Sequence, residues 1–159
     1  MKKILLRLGE LLCVAALIAF IVFVSSEEKK SDVPIDEVYT SVETLCDLEG
    51  LGKGSVTELK KQFALDTEII EDFYYYRSDS VMDVRELLIL SLRDITLQES
   101  TQEIIRTYAN EKKQIFSSYA PREEEMLASH LLVAKNGYIL FYVGDNTEAV
   151  ASEFTKAIS

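Results

Sequence analysis

Proline and glycine are scarce, two and six in 159 residues, which leaves no room for a Pro- or Gly-rich linker. Tryptophan is absent, and histidine occurs once, as His130. A Ser-His-Asp triad therefore has a single candidate base. Its neighbour Ser129 would point to the opposite face of a strand, and no G-x-S-x-G elbow occurs. Cysteine occurs twice. Cys13 lies inside an apolar run, so Cys46 stands alone in the rest of the chain, with no intramolecular disulfide and no cysteine metal cluster. We expect no cofactor, no metal and no catalytic residue, and read His130 as an ordinary strand residue. Positive charge is also short: 17 Lys plus Arg against 27 Asp plus Glu give −10. Such a chain repels phosphate backbones, so nucleic acid is not an expected partner.

What the chain has in excess is apolar sequence at its start. Residues 11–24 (LLCVAALIAFIVFV) carry no charge, and Ser25-Ser26-Glu27-Glu28-Lys29-Lys30 follows. Fourteen helical residues reach ~21 Å, short of a ~30 Å hydrocarbon core, whereas residues 4–24 reach ~31 Å. Arg7 and Glu10, three apart, then pair at the inner interface. Residues 1–26 thus read as a signal anchor held in the lipid bilayer through residues 4–24, or as a signal peptide cleaved after Ser26. The anchor is favoured because no A-x-A-like site is present. In both readings Lys2, Lys3 and Arg7 stay cytoplasmic and the rest is translocated. The protein is expected at the cell membrane, single pass with its C-terminal domain outside, or secreted if cleaved. The exported part keeps 14 basic and 26 acidic residues. Residues 27–34 read as a juxtamembrane stalk and 35–159 as one exported domain.

Within that domain, Asp36 is the expected N-cap of a helix running through Cys46. Gly50, Gly52 and Gly54 form a turn whose spacing does not fit a dinucleotide loop. Ser55 and Glu58 make a capping box for a second helix ending near Ala64. Residues 69–76 (IIEDFYYY) and 84–92 (VRELLILSL) are apolar, β-branched and aromatic, and read as an antiparallel strand pair. Ser100 and Glu103 suggest a capping box for a long helix with Ile104, Ile105, Tyr108, Ala109, Ile115, Phe116 and Tyr119 on its inner stripe, ended by Pro121. A charged turn at Glu123-Glu124-Glu125 leads to a strand over 130–134. Asn136-Gly137 is a type I′ hairpin signal before a strand over 138–143. Gly144-Asp145-Asn146 leads into a last helix with Val150, Phe154 and Ile158 inward. The expected fold is α+β in the order α-α-β-β-α-β-β-α, a four-stranded, mainly antiparallel sheet with helices on one face, preceded by the N-terminal transmembrane helix.

Glu86 inside RELLILSL, the helix EIIRTYANEKKQIFSSYAP, Asn136-Gly137-Tyr138 at a hairpin tip, the closing FTKAI and the earlier Asp36-x-x-Tyr39 together resemble the bacterial domain of unknown function 4358 family over about residues 35–159. The resemblance implies a small exported or membrane-attached protein and assigns no reaction. Leu11 and Leu12 before Cys13 do not make the small-residue site that lipid attachment needs.

Three residues stand out as a candidate interaction surface: Tyr74, Tyr76 and Glu86. On a strand, Phe73 and Tyr75 share one side and Tyr74 and Tyr76 the other, which would show two tyrosines on an open sheet face, good contact surface for protein or sugar. Packing against a neighbouring strand is the competing reading. Glu86 is read as an edge position or as partly buried and paired with Arg85, Arg93 or Arg106. The other carboxylate groups (Glu68 with Glu71 and Asp72, Glu99 with Glu103, Glu123 to Glu125) read as solvated faces. The sequence thus points to a non-enzymatic binding module whose partner is an envelope protein or polymer. The alternative is an envelope hydrolase acting on glycan with carboxylates alone, which needs two of them roughly 5–10 Å apart in a groove.

Overall fold

A computed structural model describes residues 13–18 and 29–159. The span read over residues 4–24 lies outside them except for 13–18, which are helical. Among the described residues no helix is long and apolar enough to cross a membrane.

Two strands explain the architecture. Residues 86–92 (ELLILSL) and 138–143 (YILFYV) are apolar at nearly every position, so neither face can be left in water. They form β3 (Glu86–Leu92) and β5 (Tyr138–Val143), buried along their whole lengths at the centre of the sheet. The remaining strands are β1 (Gly52–Lys53), β2 (Ile70–Arg77) and β4 (Leu131–Lys135), in the order β1-β2-β3-β5-β4 with every pair antiparallel. The helices are α1 (Ile35–Glu43), α2 (Val56–Phe63), α3 (Gln98–Phe116), α4 (Pro121–Ala128) and α5 (Thr147–Ala157).

The α+β class holds, but the sheet has five strands rather than four, because the glycine-rich turn also contributes the two residues of β1 to the β2 edge. The helices cover both faces rather than one. Leu88, Leu90 and Leu92 join Ile139, Phe141 and Val143 under α2, α3 and α4 through Leu59, Phe63, Ile105, Ala109 and Leu127. Leu87, Ile89, Leu140 and Tyr142 face the other way, under Val38 and Val42 of α1 and Val150 and Phe154 of α5. Burying each of the Leu, Ile, Val and Phe side chains among these contributes about 1.5–3 kcal/mol relative to exposure, which leaving one face open would forfeit.

Several local expectations are also corrected. Asp36 is not the cap of α1: the helix starts at Ile35 behind Pro34, two residues earlier than an Asp36 cap would set it, and the Asp36 carboxylate accepts a hydrogen bond from Tyr74 instead. Ser100 and Glu103 form no capping box. Asp94 holds a short 3₁₀ turn (Ile95–Leu97) that runs straight into α3, so Ser100 lies inside its first turn and bonds back to Leu97. The acidic stretch 123–125 belongs to α4, which Pro121 opens from its first turn. On α3, Ile105, Ala109 and Phe116 face inward, while Ile104 and Ile115 lie on its exposed flank and Tyr119 is exposed in the turn beyond its end. The Ser55–Glu58 capping box is present in both directions.

Candidate functional site

The two ends of the sheet differ. One end carries the Asn136–Gly137 turn. The other carries the loop between β2 and β3 (residues 78–85), and polar side chains converge there.

Strand register sets Glu86 opposite Arg77. Alternation turns Glu86 to the same side as Leu88, into the core under α3. Its side chain is buried, and it accepts hydrogen bonds from three donors: Tyr75 Oη at 2.7 Å, Tyr108 Oη, whose one proton is shared between the two carboxylate oxygens at 3.2 and 2.9 Å, and Lys112 Nζ at 2.8 Å. Tyr108 and Lys112 lie four apart on one face of α3, with the ammonium 5.5 Å from the Tyr108 ring centre. Burial, and then the Glu86 charge, push both the Tyr75 and Tyr108 hydroxyls far above the usual tyrosine range, so both remain donors. Gly54 permits this arrangement: a Cβ there would come within 2.8 Å of Tyr75 Cε1 and closer still to Cδ1.

Next to this knot, Arg85 is held by acids from two sides. Its Nε and Nη2 contact Asp83 at 3.1 and 2.7 Å, and its Nη1 contacts Asp47 at 2.7 Å. Asp47 itself donates its backbone N–H to Tyr142 Oη at 3.2 Å, which ties the chain after α1 to β5. The guanidinium keeps the Asp83 carboxyl below the ordinary range. Arg77 reaches back to Glu58 at 2.8 Å, and this contact, with the Ser55 hydrogen bonds, lowers Glu58 to about 2.

Two clefts open on either side of the loop and share Asp83 and Arg85. The smaller, about 220 Å³, has Glu86, Lys112, Arg77 and Gln62 among its walls. The larger, about 610 Å³, runs between the loop and α4 and is walled by Asp47, Asp83, Arg85, Arg122, Glu123, Glu125 and Asp145. Two apolar side chains stand exposed on the loop between them: Val81 is 85% and Met82 50% accessible. The arrangement offers a charged groove with a greasy lip, suited to holding a polar partner that also presents some apolar surface.

The three residues singled out from sequence do not share a surface. Tyr74 and Tyr76 lie on the opposite face of the sheet from Glu86, and that face is not open. Tyr39 of α1 stacks on Tyr74, with ring centres 4.0 Å apart and 2° between planes, and on Tyr76 at 5.7 Å. Tyr74 Oη donates to Asp36 at 2.6 Å, which pushes its hydroxyl up to about 12. These tyrosines fasten a helix to the sheet, and their covering partner is α1 rather than a neighbouring strand. Glu86 is indeed buried and paired, but with Lys112: Arg85, next to it in the chain, points away to Asp83 and Asp47.

His130 lies just before β4, not in it. Its Nδ1 donates to the Leu127 carbonyl at 2.6 Å, while Ser129 Oγ caps α4 on the Glu125 and Met126 carbonyls. Cys46 packs in the core beside α1, where burial pushes its thiol up to about 12. Sequence reading misses this site because Asp47 comes from the segment after α1, 38 residues from Arg85, whereas Asp83 lies only two residues away in the same loop. The Asp83–Arg85 and Tyr108–Lys112 spacings are the local signals that could have been found there.

A family model described as Domain of unknown function (DUF4358) matches residues 45–144. No curated protein and no solved structure matches the chain.

Proposed function

The chain belongs to the DUF4358 family, and from that premise and the geometry of the cleft end we propose that it is a non-enzymatic binding module of the cell envelope, held at the membrane through residues 4–24 with its C-terminal domain outside. The run of uncharged residues behind Lys2 and Lys3 supports the location. The observation that carries the binding role is the 610 Å³ charged cleft beside an exposed Val81-Met82 lip. Exposed apolar side chains rimmed by charge are the usual make-up of a contact surface. Glu86 fits a structural part in this, because its three hydrogen-bond donors, Tyr75, Tyr108 and Lys112, are all internal and its side chain is buried.

A hydrolase acting on envelope glycan is the second reading, and the same cleft favours it, since five carboxylates line one groove. Against it, Asp83 is held as an anion by Arg85, which suits an anchor more than a general acid. A photocrosslinking residue placed at Met82 in cells, with and without Arg122→Glu, tests the binding role. The module reading expects a discrete envelope adduct that Arg122→Glu weakens at an unchanged melting temperature. Release of sugar from envelope polymer that is lost in Glu123→Gln or Glu125→Gln, with no adduct, would replace it with the hydrolase.

A further inference from the structure

We infer that the domain stands on the bilayer on the end that carries the Asn136–Gly137 turn, so that the two clefts face away from the membrane; this rests on the reading of residues 4–24 as a membrane anchor. The root of the tether is fixed to the domain. Ser31 donates its backbone N–H to the Asn136 carbonyl at 2.8 Å, as in an added strand contact. Tyr138 Oη donates to the Val33 carbonyl, and the Lys30 ammonium pairs with Glu71. The Lys30 stem lies on the turn itself, where a Cβ at Gly137 would come within 3.0 Å of Lys30 Cγ. The chain therefore leaves the domain at one defined place, beside the turn.

Little chain remains between that place and the apolar run. From Lys30 back to Val24 is six Cα steps, at most about 20 Å fully extended. The sheet runs the other way. β3 goes from Leu92, at the turn end, to Glu86 at the cleft end, and its seven residues span about 20 Å. Loop 78–85 lies beyond that. To bring Val81 to the bilayer, the tether would have to run the length of the sheet with nothing to spare, or residues 30–34 would have to let go of Asn136, Tyr138 and Glu71. The short docked root holds the turn, the end of α5 and Ser159 toward the lipid. A partner of the cleft then approaches from the side away from the membrane, as another envelope component does and a lipid headgroup does not.

The test uses the full chain in phosphatidylcholine vesicles with a headgroup-attached quencher. Single fluorophores are placed at Lys135→Cys or Ser159→Cys at the turn end, and at Val81→Cys at the cleft end, all in a Cys13→Ser background with Cys46 buried. The expected result is several-fold stronger quenching at both turn-end positions than at 81. Equal quenching at the two ends, or stronger quenching at 81, in a chain that floats with the vesicles overturns the orientation alone. A chain that fails to float overturns the anchor reading, and the orientation with it.

Discussion

The knot around Glu86 makes a quantitative prediction, because the structure gives every partner. In Lys112→Met the aliphatic stem is kept and the ammonium lost, leaving a buried carboxylate on two tyrosine hydroxyls. Breaking a buried ion pair costs about 3–5 kcal/mol. The Lys112 side chain is 19% exposed at the cleft wall, which sets this case near the lower limit, about 3 kcal/mol. Glu86→Gln keeps the shape and one oxygen acceptor but turns charged hydrogen bonds into neutral ones, a loss of about 2 kcal/mol. If the two side chains act through each other, the double variant loses about 3 kcal/mol rather than the additive 5, a coupling of about 2 kcal/mol. Urea unfolding of the full chain, followed by near-ultraviolet circular dichroism, measures this. With a slope of about 2 kcal/mol/M, Lys112→Met moves the midpoint down by about 1.5 M. Additivity within about 0.5 kcal/mol would show that Lys112 does not hold Glu86 and would refute the reasoning.

Other consequences are as direct. Gly54→Ala drives a methyl into the Tyr75 ring and should cost about 1–3 kcal/mol. Gly52→Ala, whose nearest neighbours are 3.8 and 3.9 Å away, should stay within about 0.5 kcal/mol; paired thermal melts decide. Glu58 (to about 2), Glu71, Asp83 and Asp94 are held below their ordinary values. The stability they contribute is present above about pH 4.5 and is lost as pH falls toward 2, so a pH series of melting temperatures should drop in that window, and a flat series would contradict it. Five of the eight tyrosines, Tyr39, Tyr74, Tyr75, Tyr108 and Tyr142, titrate above the ordinary value. Their contribution is complete below about pH 10 and disappears as pH rises through the folded values. The phenolate absorbance of the folded chain should therefore lag behind that of the urea-unfolded chain, and Tyr39→Ala should advance the Tyr74 step.

Much of the fold could be read directly from local chemistry. Asn136-Gly137 supplies the two positive-φ positions of its hairpin, the strand over 138–143 falls where the apolar run predicts, and Ser55 with Glu58 caps α2 in both directions. These signals lie within a few residues, so the sequence carries them whole. The layer count was harder. An apolar run such as LLIL shows that both faces are covered but not by what: α2, α3 and α4 cover one face, and the other is covered by α1 and α5, which come from opposite ends of the domain's sequence. The same limit hid the cleft: Asp47 joins the Asp83–Arg85 pair only after the segment following α1 is laid across the end of the sheet. Strand alternation puts Tyr74 and Tyr76 on one side of β2, opposite Phe73 and Tyr75, but that side is covered rather than open because of Tyr39, a contact spanning more than thirty residues. Glu86 is recognisable as an anomaly in an apolar strand, and its partner is not, because Arg85, Arg93 and Arg106 all lie nearer to it in the sequence than Lys112.

The central claim, a domain displayed beyond the membrane on a short tether, is tested most directly by protease treatment of intact cells that carry an epitope after Ser159. The account predicts that the epitope is lost without lysis while a cytoplasmic marker survives, and that the uncut chain sediments with membranes. An epitope that stays protected until the cells are broken, on a chain recovered in the soluble fraction, would contradict it.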